Sequence, residues 1–334
     1  MSNTLATPEI IAKRILEHVS FDWGVIQRTT SIEDIDERYM KPASIALANA
    51  LEVEIAKCYR DFYNFVGTAG TTPSSYETIT QARAKLSHEG VPNDGRTICV
   101  LNPDAYGKYA YAMSSLYSGD KAVTTALRDY NVGTLGGMKT YESQNIQAHD
   151  CGFQASDTIL VNGAGQTGST LNIDGCSNTT GLKYGDKFTL GATTTSIYAV
   201  NSLSGDSTGS LRCFTVTADA TVSSGAVAAS ISPSIITSGA YKTVSAAAAN
   251  NCVVNETTTD YVANLIFHPY AIALASIPIQ LPDSCSFKAK ASYEGLSLTI
   301  TKDFDIDGYS EAVRIDMLAA IKCIQPEFGC IVMG

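Results

Sequence analysis

Residues Met40 to Gly67, MKPASIALANALEVEIAKCYRDFYNFVG, form the stretch around which the rest of the chain is organised. Ala43, Leu47, Leu51, Ile55, Tyr59 and Phe62 recur at steps of three and four with Cys58 beside them. That is the period of a helix with one apolar face, and the remaining face is charged. Pro42 suits a first helical turn, where its missing N–H costs nothing, and Gly67 supplies a left-handed stop. At ~1.5 Å per residue the expected helix is on the order of 36 Å long, about the width of a domain, and it reads as a spine.

Upstream of this spine, residues 8–18, PEIIAKRILEH, read as a short amphipathic helix that docks elsewhere, because so short a helix is not stable alone. Trp23, the only tryptophan, and the acidic run SIEDIDERY, Ser31 to Tyr39, lead into the spine. Downstream, GTAGTTPSS ends in a capping box, Ser74 answered by Glu77, and predicts a helix with Ile79, Ala82 and Leu86 on its buried face, ended by Gly90 and Pro92. Thr97 to Leu101 predicts a buried strand, and Asn102-Pro103 opens another helix as N-cap and first-turn proline. A further helix is expected near Lys121 to Tyr130, then a turn at Gly133, Gly136 and Gly137 before a strand from Met138 to Glu142.

From about Ala155 to Glu256 charges become sparse, and Thr, Ser, Gly and Ala dominate. The alternating runs DTILV, TLNIDG, DKFTL, SIYAV and LRCFTVTA are separated by turn-formers such as Asn162-Gly163 and Asp174-Gly175. With mixed helix and strand on both sides, this is an all-β domain inserted into one parent domain, entered near Ala155 and left near Thr257. The tail adds Leu265-Ile266-Phe267, Ala271 to Ala275, a long hairpin in GLSLTITKDFDIDGYSEAVRIDML and a closing strand in IKCIQPEFGCIVMG.

A chain of 334 residues is long enough to bury a sizeable core without covalent staples. Its nine cysteines are odd in number, scattered and free of any C-x-x-C pair, so they read as reduced thiols with no zinc cage. The first residues carry acidic groups and no continuous apolar run, which reads as neither a signal peptide nor a membrane anchor, and the Asn178 and Asn255 sequons read as chance matches. A net charge of -10 argues against tight wrapping of nucleic acid, which needs clustered Lys and Arg.

The chemistry-bearing patterns are few. Gly163 to Gly168 satisfies G-x-G-x-x-G after a strand, but a phosphate cradle needs a helix next, and Ser169 to Ile173 reads as a strand, so the turn is expected to be a hairpin. Asp303, Asp305, Asp307 and Gly308 repeat the first half of a calcium loop, yet its twelfth position is Arg314 where a bidentate glutamate is required, so a solvated hairpin tip is expected. His149, Asp150 and Cys151 are adjacent and read as a loop rather than a catalytic set, since such groups converge from separate segments. His268 reads as a hydrogen-bonded core histidine, and His18 and His88 as structural residues at helix ends.

Several runs together resemble the major capsid proteins of tailed phages, of the Salmonella short-tailed phage coat-protein type. They include IEDIDERYMKPA, VGTAGTTPS, GVPNDGRTICVLNPDAYGKY, STGSLRCFTVTADAT, SISPSIITSGAY, NLIFHPYAIALASIPIQLP and the long hairpin sequence, and they cover nearly the whole chain in order. The resemblance implies an α+β chain of the Hong Kong 97-type capsid fold. Residues 1–31 would be the N-terminal arm and a shortened extended loop, and 32–66 with 291–317 a peripheral domain holding the spine helix and long hairpin. An axial domain would comprise 67–154, 258–290 and 318–334, with 155–257 inserted as the β-domain.

Members of that family carry a longer region before the IEDIDERY motif, with an extended hairpin, where this chain has only Ser20 to Ser31. Either that loop is reduced here or a segment is lacking. The resemblance further implies a self-assembling subunit forming hexamers and pentamers of an icosahedral head around double-stranded DNA, assembled in the host cytoplasm. It would act without catalysis, cofactor or membrane, with a scaffolding protein, a portal and a decoration protein as partners and non-specific DNA contact. Trp23 and the hairpin carboxylates Asp303, Asp305 and Asp307 are the candidate subunit-interface residues. The rival readings are a nucleotide-binding enzyme using the Gly163–Gly168 turn and a β-rich surface adhesin or tail component.

Overall fold

A computed structural model describes residues 13–24, 39–116, 130–176, 181–191, 196–281, 285–293, 295–308 and 310–334. Two compact units divide the chain, one made of residues up to Ile55 with Ile272–Cys323, the other of Ala56–Ala271 with Ile324–Gly334. Helices and strands are both present, the strands mostly antiparallel, which is the expected α+β class.

The first unit is built on one long strand, Ser310–Cys323, whose alternate residues Val313, Ile315, Met317, Ala319 and Ile321 are all buried. Leu296–Asp305 pairs with it as the expected hairpin, Ile272–Ser276 continues along the same edge, and Phe287–Tyr293 lies outside Leu296–Asp305 at the end of the sheet. Its other edge is covered for twelve residues by Lys13–Gly24. The helix expected over 8–18 is therefore a strand wherever that segment is described: Ile15, Val19 and Phe21 sit opposite Ala319, Ile315 and Val313, so a period of two is satisfied by a partner almost three hundred residues away. His18, expected at a helix end, lies within that strand opposite Asp316.

The spine helix spans Lys41–Ala56, 16 residues or ~24 Å, shorter than its apolar periodicity suggested. Ala43, Leu47 and Leu51 are buried, Ile55 is only partly so, and Ile45 on the other face is 61% exposed. The chain then tightens into a 3₁₀ turn, Lys57–Arg60, and reappears as a strand, Asn64–Gly67. Phe62, Tyr63 and Asn64 are buried in succession, which no single helix face can accommodate. Gly67 does adopt the left-handed conformation, φ +93°, but to end this strand, where a Cβ would come within 2.8 Å of the Met333 carbonyl oxygen.

The second unit holds two separate apolar cores. In the first, a seven-stranded sheet runs in the order Asn64–Gly67, Gly329–Met333, Tyr261–Phe267, Ile98–Leu101, Met138–Glu142, Thr134–Leu135, with Ala148–His149 also paired to Tyr261–Phe267. The Tyr76–His88 and Pro103–Leu116 helices contribute Ile79, Ala82, Leu86, Ala105 and Tyr109 to its core, as the helical periodicities required. Asn102 Oδ1 accepts the Ala105 N–H and Pro103 opens the helix, as expected, whereas the cap of the preceding helix is Ser75, whose Oγ accepts the Glu77 N–H at 3.2 Å, and not Ser74. The helix expected near Lys121 to Tyr130 lies, as far as residue 129, outside the described residues.

Residues 153–254 make the other core, from Phe153, Ile159, Leu171, Phe188, Phe214, Ile231 and Val254 among others, and among the described residues none outside that span contributes to it. Its six-stranded sheet has the order Val254–Glu256, Lys187–Leu190, Cys213–Val216, Ala226–Ile235, Gly168–Asp174, Leu160–Val161. Alternating sequence runs thus become antiparallel neighbours, and the glycine-rich separators become tight turns.

Candidate functional site

Where the β-rich span 153–254 meets the rest of its unit, polar side chains are buried together. Lys187 is fully buried, and the three N–H groups of its ammonium are shared among four acceptors, the carbonyls of Phe62 at 2.5 Å, Arg60 at 3.1 Å and Tyr59 at 3.3 Å and Thr215 Oγ1 at 2.7 Å. Those carbonyls close the 3₁₀ turn, so a cation meets the negative end of the turn and ends it. The Thr215 hydroxyl also donates to the Arg60 carbonyl. The carbonyls that would carry a helix on past Arg60 are thus taken by a strand more than 120 residues downstream.

Beside it lies an ordered relay. Arg60 Nε approaches the Tyr59 hydroxyl at 3.5 Å, that hydroxyl meets His149 Nδ1 at 2.9 Å, and His149 Nε2 meets Asp186 Oδ1 at 2.9 Å. A carboxylate only accepts, so the ring donates from Nε2 and receives the tyrosine proton at Nδ1. Asp186, fully buried, also accepts the N–H groups of Gly152 and Lys183. Tyr184 bonds Asp61, and Lys183 pairs with Asp150. A third link is the buried ion pair of Arg212 with Glu89 at 2.6 Å, where the Tyr63 hydroxyl also reaches Glu89 and the guanidinium lies 4.6 Å from the Tyr63 ring centre. Burial pushes the Glu89 carboxyl above its ordinary range, against the pull of Arg212 and Tyr63.

An Asp–His–Tyr chain resembles a catalytic relay, but its geometry serves a different end. Tyr59 is 1% exposed and burial pushes its hydroxyl above the ordinary tyrosine range, so the would-be nucleophile is neither reachable nor activated. The donor atoms of His149, Cys151 and Asp186 lie within 4.8 Å of one another, close enough to consider a metal. Both ring nitrogens and both carboxylate oxygens are already committed, however, and Cys151 donates to the Thr259 carbonyl, its thiol pushed up to about 12 chiefly by burial. The cluster is a latch that ties the Tyr59 turn and the Ala148–His149 strand to the β-rich span.

The patterns singled out in the sequence are distributed differently. Gly163 to Gly168 is a hairpin turn between Leu160–Val161 and Gly168–Asp174, as expected: Gln166 donates to the carbonyls of Asn162 and Asn172 and accepts the Asn172 N–H. The N–H groups of Gly163 and Gly165 are taken by Asn250 Oδ1 and the Ala248 carbonyl, so this turn offers no cradle to a phosphate. His268 is the expected core histidine, donating from Nε2 to Asp94 at 3.2 Å while its Nδ1 accepts the Tyr270 N–H. Asp303 and Asp305 are exposed residues at the end of the Leu296–Asp305 strand, opposite Ala312 and Ser310, and only Asp307 lies in the turn beyond it; Asp303 accepts from the Ser286 hydroxyl and the Phe304 N–H, and Asp305 from the Asp307 N–H. Trp23 lies opposite Glu311 on the sheet-edge strand.

The expectation that His149 to Cys151 is an unremarkable loop needs correction. His149 is a strand residue opposite Tyr261, and it is the centre of the latch. Its partners stand 90 residues before it and 37 after it, so nothing in the local sequence marks them. The one available signal was the pair Asp186-Lys187 at the mouth of an otherwise apolar strand, two adjacent charges in a charge-poor region.

A family model described as P22 coat protein, gene protein 5, matches residues 25–334. The major capsid protein of Acyrthosiphon pisum secondary endosymbiont phage 1 is 23% identical over 335 residues, spanning 93% of this chain and 78% of that protein. Among solved structures, one from Mycobacterium phage Che8 aligns with a TM-score of 0.46 at 14% identity, covering 95% of this chain and 70% of that one. The capsid structure of the cyanophage P-SCSP1u aligns at 0.44 and 9% identity, over 96% and 72%. With a family match that runs over nearly its whole length, this chain belongs to the P22 coat protein family and is a phage major capsid protein.

Proposed function

We propose that the chain forms hexamers and pentamers of an icosahedral head of the Hong Kong 97 type, enclosing double-stranded DNA. The single observation that carries this reading is the family match over residues 25–334. The subunit is assembled in the host cytoplasm with a scaffolding protein, joins a portal at one vertex and accepts a decoration protein on its outer face. Its peripheral part holds the spine helix and long hairpin, its axial part the seven-stranded sheet, and residues 155–257 form the inserted β-domain, for which the self-contained core of 153–254 is the support. Trp23 and the carboxylates of Asp303, Asp305 and Asp307 belong to its contacts with neighbouring subunits.

An acidic chain suits a container. With a net charge of -10, its contacts with packaged DNA are weak and non-specific, and a lining that bound phosphates tightly would hinder filling and emptying of the head. No catalytic step is assigned to it, and the committed N–H groups of the Gly163–Gly168 turn give the nucleotide-binding alternative no support. Sedimentation velocity of the purified protein across a concentration series tests the reading. Conversion of slow subunits into one very large, discrete species is expected, and a monomer unchanged at every concentration, with and without co-expressed phage proteins, would overturn it.

A further inference from the structure

The last turn of the Tyr76–His88 helix and the strand Cys213–Val216 bring a lysine and a cysteine together. Lys85 Nζ donates to the Phe65 carbonyl at 2.7 Å and to Cys213 Sγ at 3.1 Å. The ammonium also lies 5.4 Å from the centre of the Phe65 ring. Arg212, next to the cysteine, and Glu89, one helical turn beyond the lysine, form the buried ion pair described above, so the two backbones are already clasped at this point.

Cys213 is 3% exposed, and burial by itself leaves a thiol inert. Cys99 and Cys330 are of that kind, since both are wholly buried and burial pushes their thiols up to about 12. Two features set Cys213 apart. A cation stands on its sulfur, which is the counter-charge a thiolate needs when it attacks an oxidant. A cleft also reaches it, lined by Lys85, Thr208 and Cys213 together with the exposed residues His88 and Ser210. The free space in this cleft is about 10 Å³, on the order of one water molecule, so it suits a small oxidant and not a bulky disulfide.

We propose that Cys213 and Lys85 form a peroxide-dependent cross-linking site, in which Cys213 is oxidised and then joined to Lys85 by a sulfur–nitrogen bond. Hydrogen peroxide is the oxidant: its O–O bond breaks, one oxygen leaves as water and the other bonds to Sγ, giving a sulfenic acid. Nζ then attacks Sγ. The S–O bond breaks and the hydroxyl leaves as water with a proton from the ammonium, so a sulfenamide forms. Sulfur gives up two electrons, and the peroxide takes them. The bond ties a helix of the seven-stranded-sheet core covalently to the β-rich span 153–254, and thiol reductants reopen it. In a shell it would close only after the particle leaves the reducing cytoplasm, a timing that rests on the shell-forming reading above, whereas the bond itself does not.

Peptide mapping by mass spectrometry tests the proposal on the purified, folded full chain before and after exposure to hydrogen peroxide. The peptide holding Lys85 should be recovered joined to the peptide holding Cys213, lighter than their sum by two hydrogens, and dithiothreitol should release both. Cys213→Ser and Lys85→Arg should each abolish the link. Peroxide added in urea, where the two residues are apart, should not form it. If either variant shifts the melt of the reduced protein, Cys213→Ala or Lys85→Gln takes its place with the same loss expected. An unmodified Cys213, a Cys213 that ends as sulfinic acid, a disulfide from Cys213 to Cys330 or to any other cysteine, or a link that forms equally in urea would each overturn the proposal. None of these readouts involves assembly, so failure of the shell-forming reading would leave the cross-linking site standing.

Discussion

Replacing Lys187 with methionine should cost the subunit several kcal/mol, because this ammonium fastens the β-rich span to the turn at Tyr59 to Phe62. Methionine keeps most of the side-chain volume, so cavity formation is a small part of the effect and the loss reports on hydrogen bonding. The carbonyls of Tyr59 and Phe62 lose their ammonium donor, while the Arg60 carbonyl keeps the Thr215 hydroxyl. At ~1–3 kcal/mol for each buried acceptor left unsatisfied, two acceptors give ~2–6 kcal/mol. Relief of the desolvation that a buried ammonium suffers offsets part of this, which leaves ~2–4 kcal/mol. For a unit of this size that corresponds to a fall in melting temperature of roughly 4–16 °C. Differential scanning calorimetry of the unassembled subunit is the assay, with Lys183→Met as control. Lys183 and its partner Asp150 are 45% and 77% exposed, and such a pair is worth only ~0–1 kcal/mol. If Lys187→Met melts within about 2 °C of the parent, the ammonium does not hold the Tyr59 to Phe62 turn.

Other expectations follow from the same structure. Leu51 is 5% exposed on the buried face of the spine, so Leu51→Ala should cost ~2–5 kcal/mol and reduce soluble, assembly-competent subunit, measured by melt and shell yield. Expressed alone, residues 153–257 should give a soluble monomer with a cooperative melt and little helical circular dichroism, since their apolar core is drawn wholly from that span; an unfolded or aggregated fragment would show that the core needs the parent. Asp94 is held below the ordinary carboxylate range, first by the Arg96 N–H and also by His268, so its contribution to stability is present above pH ~4 and is lost as the pH falls through its lowered value. Asp94→Asn should therefore flatten the acid limb of the stability profile by lowering stability near neutral pH while leaving it nearly unchanged at acid pH, as read from urea titrations at several pH values.

How far the fold could be read from the residues depended on the range over which each element is decided. The Tyr76–His88 and Pro103–Leu116 helices were legible because their caps and apolar faces are local, down to a one-residue slip between Ser74 and Ser75. Turn chemistry and alternation made the strands of 153–254 and the hairpin at 296–323 equally plain. Two elements were decided from afar. Lys13–Gly24 has apolar residues at both helical and strand spacing, and its register opposite Ser310–Cys323 resolves the choice. The course of the chain after the spine involves Lys187, which takes the Tyr59, Arg60 and Phe62 carbonyls although the apolar periodicity runs on through Tyr59 and Phe62. The latch was hidden for the same reason. Tyr59, His149 and Asp186 come from a turn, a two-residue strand and a tight turn, and each is unexceptional until folding brings them together. The carboxylates of the hairpin could be located from sequence, but that the nearby Lys302 and Arg314 are paired with Glu311 and Asp316 became visible only in the structure.

Cryo-electron microscopy of particles formed by the purified full chain tests the central claim most directly. Closed shells whose surface resolves into rings of five and six copies, with the spine helix and the long hairpin recognisable in every subunit, are what the account predicts. A discrete monomer or a single small ring as the largest species, under conditions in which the subunit melts cooperatively, would contradict it.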